Sequence, residues 1–173
     1  MLSFDVYGRE EKTIKTLLIL RHAKAEPDAG EGDEQRPLAK RGRRAAERVG
    51  ELLSDTLPDL VLSSTSVRTR QTVERLKKGA GSLGRVEFSS ELYLAAPSTC
   101  LRVLAERGGD AERVMLVGHN PGLEELVSAF TGEHIALPPA GLAECTLEVE
   151  RWSDVSRDTR AELVALRYPR DDD

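Results

Sequence analysis

Short apolar runs alternate with helical patterns along most of this 173-residue chain. The first run, TLLIL, is continuous rather than alternating, which is typical of a strand buried on both faces of a sheet. Strands that alternate with helices indicate a mainly parallel sheet covered by helices. The sequence therefore predicts a three-layer α/β/α fold. Its strands are predicted at residues 16–20, 60–62, 86–88 and 114–117.

The segments between these strands space their apolar residues as helices do. Ala45, Ala46 and Val49 share one face of the first segment. Pro121 fits the first turn of the last one, where a missing N–H donor does no harm. The helices are predicted at residues 39–54, 66–77, from 98 onward, and from 121 to about 130. The last third predicts antiparallel strands at residues 144–149 and 163–166.

The length of the chain fits one domain, with a core large enough to need no disulfide or structural metal. We expect that domain at residues 16–168, after a loose extension at 1–15 and before a short tail at 169–173. Cys100 and Cys145 lie far apart and lack the spacing of a zinc site, so we expect two reduced thiols.

Charge and hydropathy argue against two classes of partner. The 25 basic and 30 acidic residues give a net charge of −5, which opposes general nucleic-acid affinity. No apolar run approaches the ~20 residues that span a bilayer. The first residues, MLSFDVYGREEKT, also lack the apolar centre of a secretory signal. We expect a soluble cytoplasmic protein without a nucleic-acid or membrane partner.

Polar segments follow three of the predicted strands: RHAKAE, SSTSVRTRQT and GHNPG. In open α/β sheets, ligands bind outside the carboxyl ends of the strands, so Arg21, His22, His119 and either Arg68 or Arg70 could converge there. Guanidinium forks match phosphate oxygens, and an imidazole can act as a nucleophile. Taken singly, each of these residues also fits a structural role. The residues alone leave both interpretations open.

A resemblance favours the functional interpretation. The segments LLILRHAKAE, RPLAKRGRRAAERVGELL, DLVLSSTSVRTRQTVERL, ELYLA and VMLVGHNPGLEELV occur in the order typical of the histidine phosphatase superfamily. The resemblance covers residues 16–150 and implies a phosphoglycerate mutase-like fold. Within that superfamily, the chain is similar to the SixA-type phosphohistidine phosphatases. It is therefore expected to be a phosphatase that works without a metal or other cofactor.

The resemblance implies a role for each matching residue. His22 matches the nucleophile that becomes phosphohistidine, Arg21 the arginine beside it, and His119 the second histidine of the pocket. Arg68 matches the remaining arginine, because VRTRQT fits the pattern of arginine, two variable residues and Gln-Thr. Arg70 falls on a variable position, which implies a solvent-facing helix residue.

Two further residues are candidates on weaker grounds. Asn120 could contact substrate and orient His119, or could simply turn the chain. Glu91 in ELYLA is the one candidate general acid, and it could instead be a carboxylate flanking a helix or strand. The chain departs from the family pattern at RHA, where RHG is usual, and at SST, where SSP is usual. Neither change removes a catalytic group.

The sequence leads us to expect the first of three functions, with the other two as alternatives. The first is dephosphorylation of phosphohistidine on a protein, since imidazole leaves more easily than an alkoxide and the short body leaves little sequence for a lid. The second is hydrolysis of a small phosphate ester, which would require a general acid. The third is a non-catalytic phosphate-binding or interaction domain, whose usual mark is loss of the histidine or an arginine.

Overall fold

The computed structural model describes residues 4–10 and 12–169. Within that part of the chain, six strands form one sheet in the order β3-β2-β4-β1-β5-β6. The strands are β1 (Ile14–Arg21), β2 (Leu60–Ser63), β3 (Arg85–Phe88), β4 (Arg113–Gly118), β5 (Leu142–Glu148) and β6 (Ala161–Arg167). The helices are α1 (Lys40–Leu52), α2 (Val67–Ala80), α3 (Pro97–Arg107) and α4 (Gly122–Thr131).

The sheet is mainly parallel, as predicted. Strands β1 to β4 run in one direction, whereas β5 and β6 run antiparallel. Arg21 of β1 pairs with Gly118 of β4, and Ser63 of β2 pairs with Val117 of β4. The three central strands therefore end in register at one edge of the sheet. Any residues that follow them directly must lie side by side.

Helices cover both faces of the sheet and give the predicted three layers. Leu18 and Leu20 of β1 belong to a core shared with α1 and α2. Leu17 and Ile19 point the other way, into a core shared with α3 and α4. Because successive side chains of a strand alternate between its faces, one continuous apolar run serves both cores.

Helices α1 and α2 pack closely because two glycines face backbone. A Cβ on Gly50 would lie 2.2 Å from the carbonyl oxygen of Leu76. A Cβ on Gly79 would lie 1.9 Å from that of Glu47. Both distances are too short for any side chain, so the pair of helices is held as one layer. This contact fixes α2, which begins at the edge where the parallel strands end.

The ends of the chain differ from the prediction in one respect. Ile14 and Lys15, assigned to the loose extension, are the first residues of β1, where Ile14 pairs with Glu148. Residues 4–10 form a turn closed by a bridge between Phe4 and Glu10. The rest of the extension (1–3 and 11) and most of the tail (170–173) lie outside the described residues. The division into domain, extension and tail stays a prediction.

None of the helices in the described ranges is long and apolar enough to cross a membrane.

Candidate active site

The three aligned strands deliver His22, Ser64 and His119 to one place, each as the first residue beyond its strand. Backbone bonds continue the ladder into these residues: His22 N donates to the Gly118 carbonyl at 3.0 Å, and Ser64 N to that of Val117 at 3.0 Å. The two imidazole ring centres are 5.4 Å apart. All three residues are buried. The edge of the sheet therefore holds two histidines in a fixed arrangement.

The protonation state of His22 follows from its hydrogen bond. Its Nδ1 lies 2.8 Å from the Ala23 carbonyl oxygen, which can only accept, so Nδ1 carries the proton. Thr72 anchors the preceding peptide, since Ala23 N donates to Thr72 Oγ1 at 3.1 Å. Burial lowers the pKa of His22 to about 4, and the charges of Arg68 and Arg21 add to the effect. His22 is neutral at pH 7, with a free lone pair on Nε2.

His119 is also neutral, with the opposite tautomer. Its Nδ1 lies 3.2 Å from Nη2 of Arg68, which can only donate, so Nδ1 is the acceptor. The proton is on Nε2, which donates to Ser64 Oγ at 2.8 Å. Burial, followed by the Arg68 charge, lowers the pKa of His119 to about 3. Arg68 and His119 thus form one hydrogen-bonded pair.

Arg68 lies in the first turn of α2 and is only 2% exposed. Its Nη1 donates to the Asp33 carbonyl oxygen at 2.7 Å, and its Nη2 to the Asp33 carboxylate at 2.9 Å. The Tyr93 hydroxyl and Arg36 Nη1 donate to the same carboxylate. These donors hold the pKa of Asp33 well below its usual range, with the Tyr93 hydroxyl as the largest cause. Asp33 is ionised at neutral pH.

Arg21 closes the other side of the cluster. It is the last residue of β1, and its Nη1 donates to the Leu137 carbonyl oxygen at 3.1 Å. Among the described residues, no acceptor contacts the buried Nε of Arg21 or that of Arg68. A buried N–H donor without an acceptor is costly, so a ligand that supplied an acceptor to either Nε would bind favourably. Three guanidiniums, counting Arg36, outnumber the two nearby carboxylates of Asp33 and Glu124, and this excess of positive charge favours an anionic ligand.

Asn120 acts on the loop beside Arg21. Its Nδ2 donates to Glu124 Oε1 at 2.8 Å and to the Leu137 carbonyl oxygen at 2.9 Å. Glu124 Oε1 also accepts from Leu137 N at 2.8 Å. Asn120 therefore helps to fix the carbonyl that holds Arg21, although it makes no hydrogen bond to His119 in the described structure. A direct substrate contact by Asn120 stays a prediction.

The motif ELYLA contributes Tyr93 to the cluster rather than Glu91. The exposed Glu91 carboxylate is bonded to Arg102 of α3 and lies 3.7 Å from Arg107. The Tyr93 ring meets His119 edge-on, with ring centres 5.3 Å apart. The general-acid role predicted for Glu91 would require that carboxylate to leave both arginines.

Three residues of this cluster were not predicted from the sequence: Ser64, Asp33 and Tyr93. Ser64 could have been found, since it follows its strand as His22 and His119 follow theirs. Asp33 could not, because the loop EPDAGEGDEQRP holds several equivalent carboxylates. Arg70 lies outside the cluster. It is exposed and its guanidinium covers the Phe88 ring, as expected for a variable position.

Comparisons with known proteins identify the family of this chain. Residues 17–93 match the model of the histidine phosphatase superfamily, branch 1. SixA of Agrobacterium tumefaciens, described as a candidate phosphohistidine phosphatase, is 32% identical. The similarity covers 90% of this chain and 98% of that one, with a TM-score of 0.74. The chain belongs to the histidine phosphatase superfamily. It is a phosphatase of the SixA-type branch, which confirms the family, fold and enzyme class predicted from the motifs.

Two further similar proteins align over nearly their whole length. A SixA protein of Nakamurella multipartita aligns over 90% of this chain and 96% of its own, with 28% identity and a TM-score of 0.78. An uncharacterised protein of Mycobacterium tuberculosis is 32% identical over 164 residues, 87% of this chain and 100% of the relative. The alignments with these two proteins therefore cover most of this chain and nearly all of each relative.

Proposed function

We propose that this histidine phosphatase removes the phosphoryl group from phosphohistidine on a protein, through transfer to Nε2 of His22. The observation that carries the proposal is the hydrogen bond from His22 Nδ1 to the Ala23 carbonyl, which leaves the Nε2 lone pair free. In the first step the P–N bond of the substrate breaks and a P–Nε2 bond forms. The departing imidazole takes up one proton from solvent water, because no acid of the site is assigned to donate it. Water then attacks phosphorus, which releases inorganic phosphate and regenerates His22.

Arg21, Arg68 and His119 are the residues that we expect to hold the phosphoryl oxygens. Phosphoryl transfer needs mainly positioning and stabilisation of the equatorial oxygens. The spare Nε donors of both arginines support this assignment, because an anionic ligand would supply acceptors nearby. The first turn of α2, which carries Arg68, also presents the positive end of a helix dipole to the same edge.

The acid–base properties of the site favour phosphohistidine over an alkyl phosphate. An alkoxide leaving group needs a carboxylic acid that can donate a proton. Asp33 is ionised, since Tyr93, Arg36 and Arg68 all donate hydrogen bonds to its carboxylate. Glu91 is bonded to arginines of α3. A substrate whose leaving group is imidazole has less need of an acid. The likeness to SixA proteins described as candidate phosphohistidine phosphatases supports the same choice.

Replacement of Glu91 by glutamine separates the two substrate classes. On a phosphohistidine protein, we expect Glu91→Gln to lower kcat/KM by less than about tenfold, because imidazole departs with little help. The measurement compares wild type and variant on that protein and on an alkyl phosphate. A loss of ~10²–10⁴-fold on the ester, together with faster wild-type turnover of the ester, would instead identify an ester phosphatase with Glu91 as its acid.

The pH dependence should follow the depressed pKa of His22. Because that pKa is about 4, Nε2 keeps its lone pair at neutral pH and loses it only as the pH falls through about 4. We expect kcat/KM on a small phosphoramidate, corrected for spontaneous hydrolysis, to fall about tenfold per pH unit below that value once His22 is protonated. An NMR titration of the imidazole ring protons measures the same pKa directly. A midpoint for His22 near the ordinary 6.5 would contradict this account.

Chelation should leave the enzyme unaffected. Arg21 and Arg68 supply the positive charge that a metal ion would otherwise bring to the phosphoryl oxygens. We therefore expect EDTA to change the rate by less than about twofold, in line with a metal-independent mechanism. Loss of activity that Mg²⁺ restores would contradict it.

We place the enzyme in the cytoplasm as part of the same proposal, in keeping with the two free, buried cysteines, Cys100 and Cys145.

A further inference from the structure

An open cleft of about 580 Å³ lies beside the active site, between the segment after β1 and the start of α1. Cationic side chains dominate its lining, with Glu26 as the one carboxylate among the lining residues that the structure describes. We call this cleft the basic groove. Its cations are Lys24, Arg36, Lys40, Arg41 and Arg44. Such a concentration of positive charge contrasts with the net charge of −5 for the whole chain.

Four of these cations are not neutralised by the protein itself. Lys24, Lys40, Arg41 and Arg44 are exposed, and their side chains form no ion pair or hydrogen bond within residues 4–10 and 12–169. Many cations elsewhere on the surface are paired: Arg75 and Lys78 with Glu47, Arg102 and Arg107 with Glu91, and Arg113 with Glu144. Other cations without an ion pair in the described ranges, among them Lys77, Arg157 and Arg167, are dispersed over α2, the β5–β6 connection and β6, whereas the groove brings four unpaired cations together.

The position of two of these cations works against the stability of α1. Lys40 and Arg41 are in its first turn, which contains no acidic residue. The helix dipole favours acids there and disfavours cations. Without an internal partner to compensate, this placement contributes nothing favourable to the fold, and an external anion would account for it.

The basic groove leads into the active site through Arg36. Its Nε donates to the Glu26 carbonyl oxygen at 2.8 Å, and its Nη1 to Asp33 at 3.0 Å. Asp33 in turn contacts Arg68. Lys24, another lining residue, is two residues from His22 in the sequence. A chain whose phosphoryl group reached His22 could therefore extend along the groove.

We propose that the basic groove binds an acidic stretch of the phosphoprotein substrate next to its phosphohistidine. This inference rests on the proposed function and defines which phosphoproteins the enzyme selects. A groove of about 580 Å³ with several separate cations exceeds what one phosphoryl group requires. Its lining contains no aromatic residue on which nucleic-acid bases could stack. A short polypeptide bearing several carboxylates fits the size and the charge.

The test compares two phosphohistidine peptides, one flanked by aspartates and one by asparagines, with phosphoramidate as the small substrate. The variant is the triple substitution Lys40→Gln, Arg41→Gln and Arg44→Gln, all outside the catalytic cluster. We expect it to raise KM for the acidic peptide about tenfold. This factor corresponds to the loss of three surface ion pairs of ordinary strength. The kcat, and the rates on the other two substrates, should stay within about twofold. The effect should shrink as salt is added.

A matched control removes the same charge from the opposite edge of the sheet. Lys77 is in the last turn of α2, and Arg157 and Arg160 lie between β5 and β6. Their triple glutamine variant should leave KM for the acidic peptide unchanged. An equal effect of the two triple variants would overturn the proposal, since only overall charge would then matter. Equal wild-type KM for the acidic and neutral peptides would also overturn it.

A binding measurement keeps the groove testable if the proposed function fails. Fluorescence anisotropy with an unphosphorylated poly-aspartate peptide should show binding to wild type and about tenfold weaker binding to the Lys40, Arg41 and Arg44 variant. Turnover of esters but of no phosphohistidine peptide would reject the proposed function alone. Tighter binding of a single-stranded RNA of equal charge would reject the acidic peptide as the occupant.

Discussion

Replacement of His22 by alanine is expected to abolish turnover and phosphoenzyme formation while the protein stays folded. The side chain is proposed to supply the nucleophile, and loss of a covalent nucleophile typically lowers kcat by on the order of 10⁴–10⁶-fold. The measurements are kcat on phosphohistidine protein and acid-labile ³²P labelling after a rapid quench. Acid lability is expected because a P–N bond breaks readily once its nitrogen is protonated.

His134 provides the matched control for His22, since the chain has three histidines and this one is exposed. His134→Ala should turn over and label as the wild type does. Labelling that persists in His22→Ala would identify a different nucleophile. An unchanged circular dichroism spectrum in both variants would exclude unfolding as the cause of any loss.

Replacement of Arg68 by lysine should have the next largest effect. Arg68 contacts Asp33 through two nitrogens and His119 through one of them. A single ammonium cannot reproduce this planar fork. Removal of one preorganised donor to developing negative charge typically costs 10²–10³ in rate, so we expect kcat/KM to fall by about that factor.

Arg70 is the control for this substitution, two residues along the same helix but exposed. Arg70→Lys should leave kcat/KM within about twofold of wild type, since its contacts are with the Thr65 carbonyl and the Phe88 ring at the surface. Near-normal activity of Arg68→Lys would show that the fork is not needed. A comparable loss in both variants would point to damage to the helix instead.

The strand ends explain why the core of the site could be predicted from the sequence. Apolar runs give the course of β1, β2 and β4, and the residue after each run must lie at the common edge of a parallel sheet. His22 and His119 follow from this rule, and so does Ser64, which we did not predict. The tautomers of the two histidines could not be predicted, because they depend on the acceptor at Ala23 and the donor at Arg68.

Loop residues could not be predicted in the same way. Asp33 reaches Arg68 because the loop after β1 folds back over α2, a contact between residues 35 positions apart. Similarly, a short turn at Ser90–Leu92 decides whether Glu91 or Tyr93 of the same motif faces His119. Tertiary contacts set such turns, whereas the apolar pattern sets only the strands and helices. Glu91, the predicted general acid, lies in such a turn.

His22 and His119 are opposite tautomers, which indicates that they have different roles in catalysis. His22 keeps Nε2 free, whereas His119 uses both nitrogens, one on Arg68 and one on Ser64. A nucleophile needs the free lone pair, and a group that holds an anion needs a donor, so His119 would turn its Nε2–H from Ser64 Oγ to a phosphoryl oxygen. Binding of a phosphoryl group would compete with Asp33 for Arg68, so the loop that carries Asp33 is the part of the site most directly affected by substrate.

The most direct test of the central claim is to locate the phosphoryl group on the trapped enzyme. Wild type is mixed with phosphohistidine protein, quenched rapidly into alkali and analysed by mass spectrometry and ³¹P NMR. Because His22 Nδ1 donates to the Ala23 carbonyl, the account predicts one phosphorylated residue, His22, modified on Nε2. Phosphate on Nδ1 of His22, or on any other residue, would contradict it.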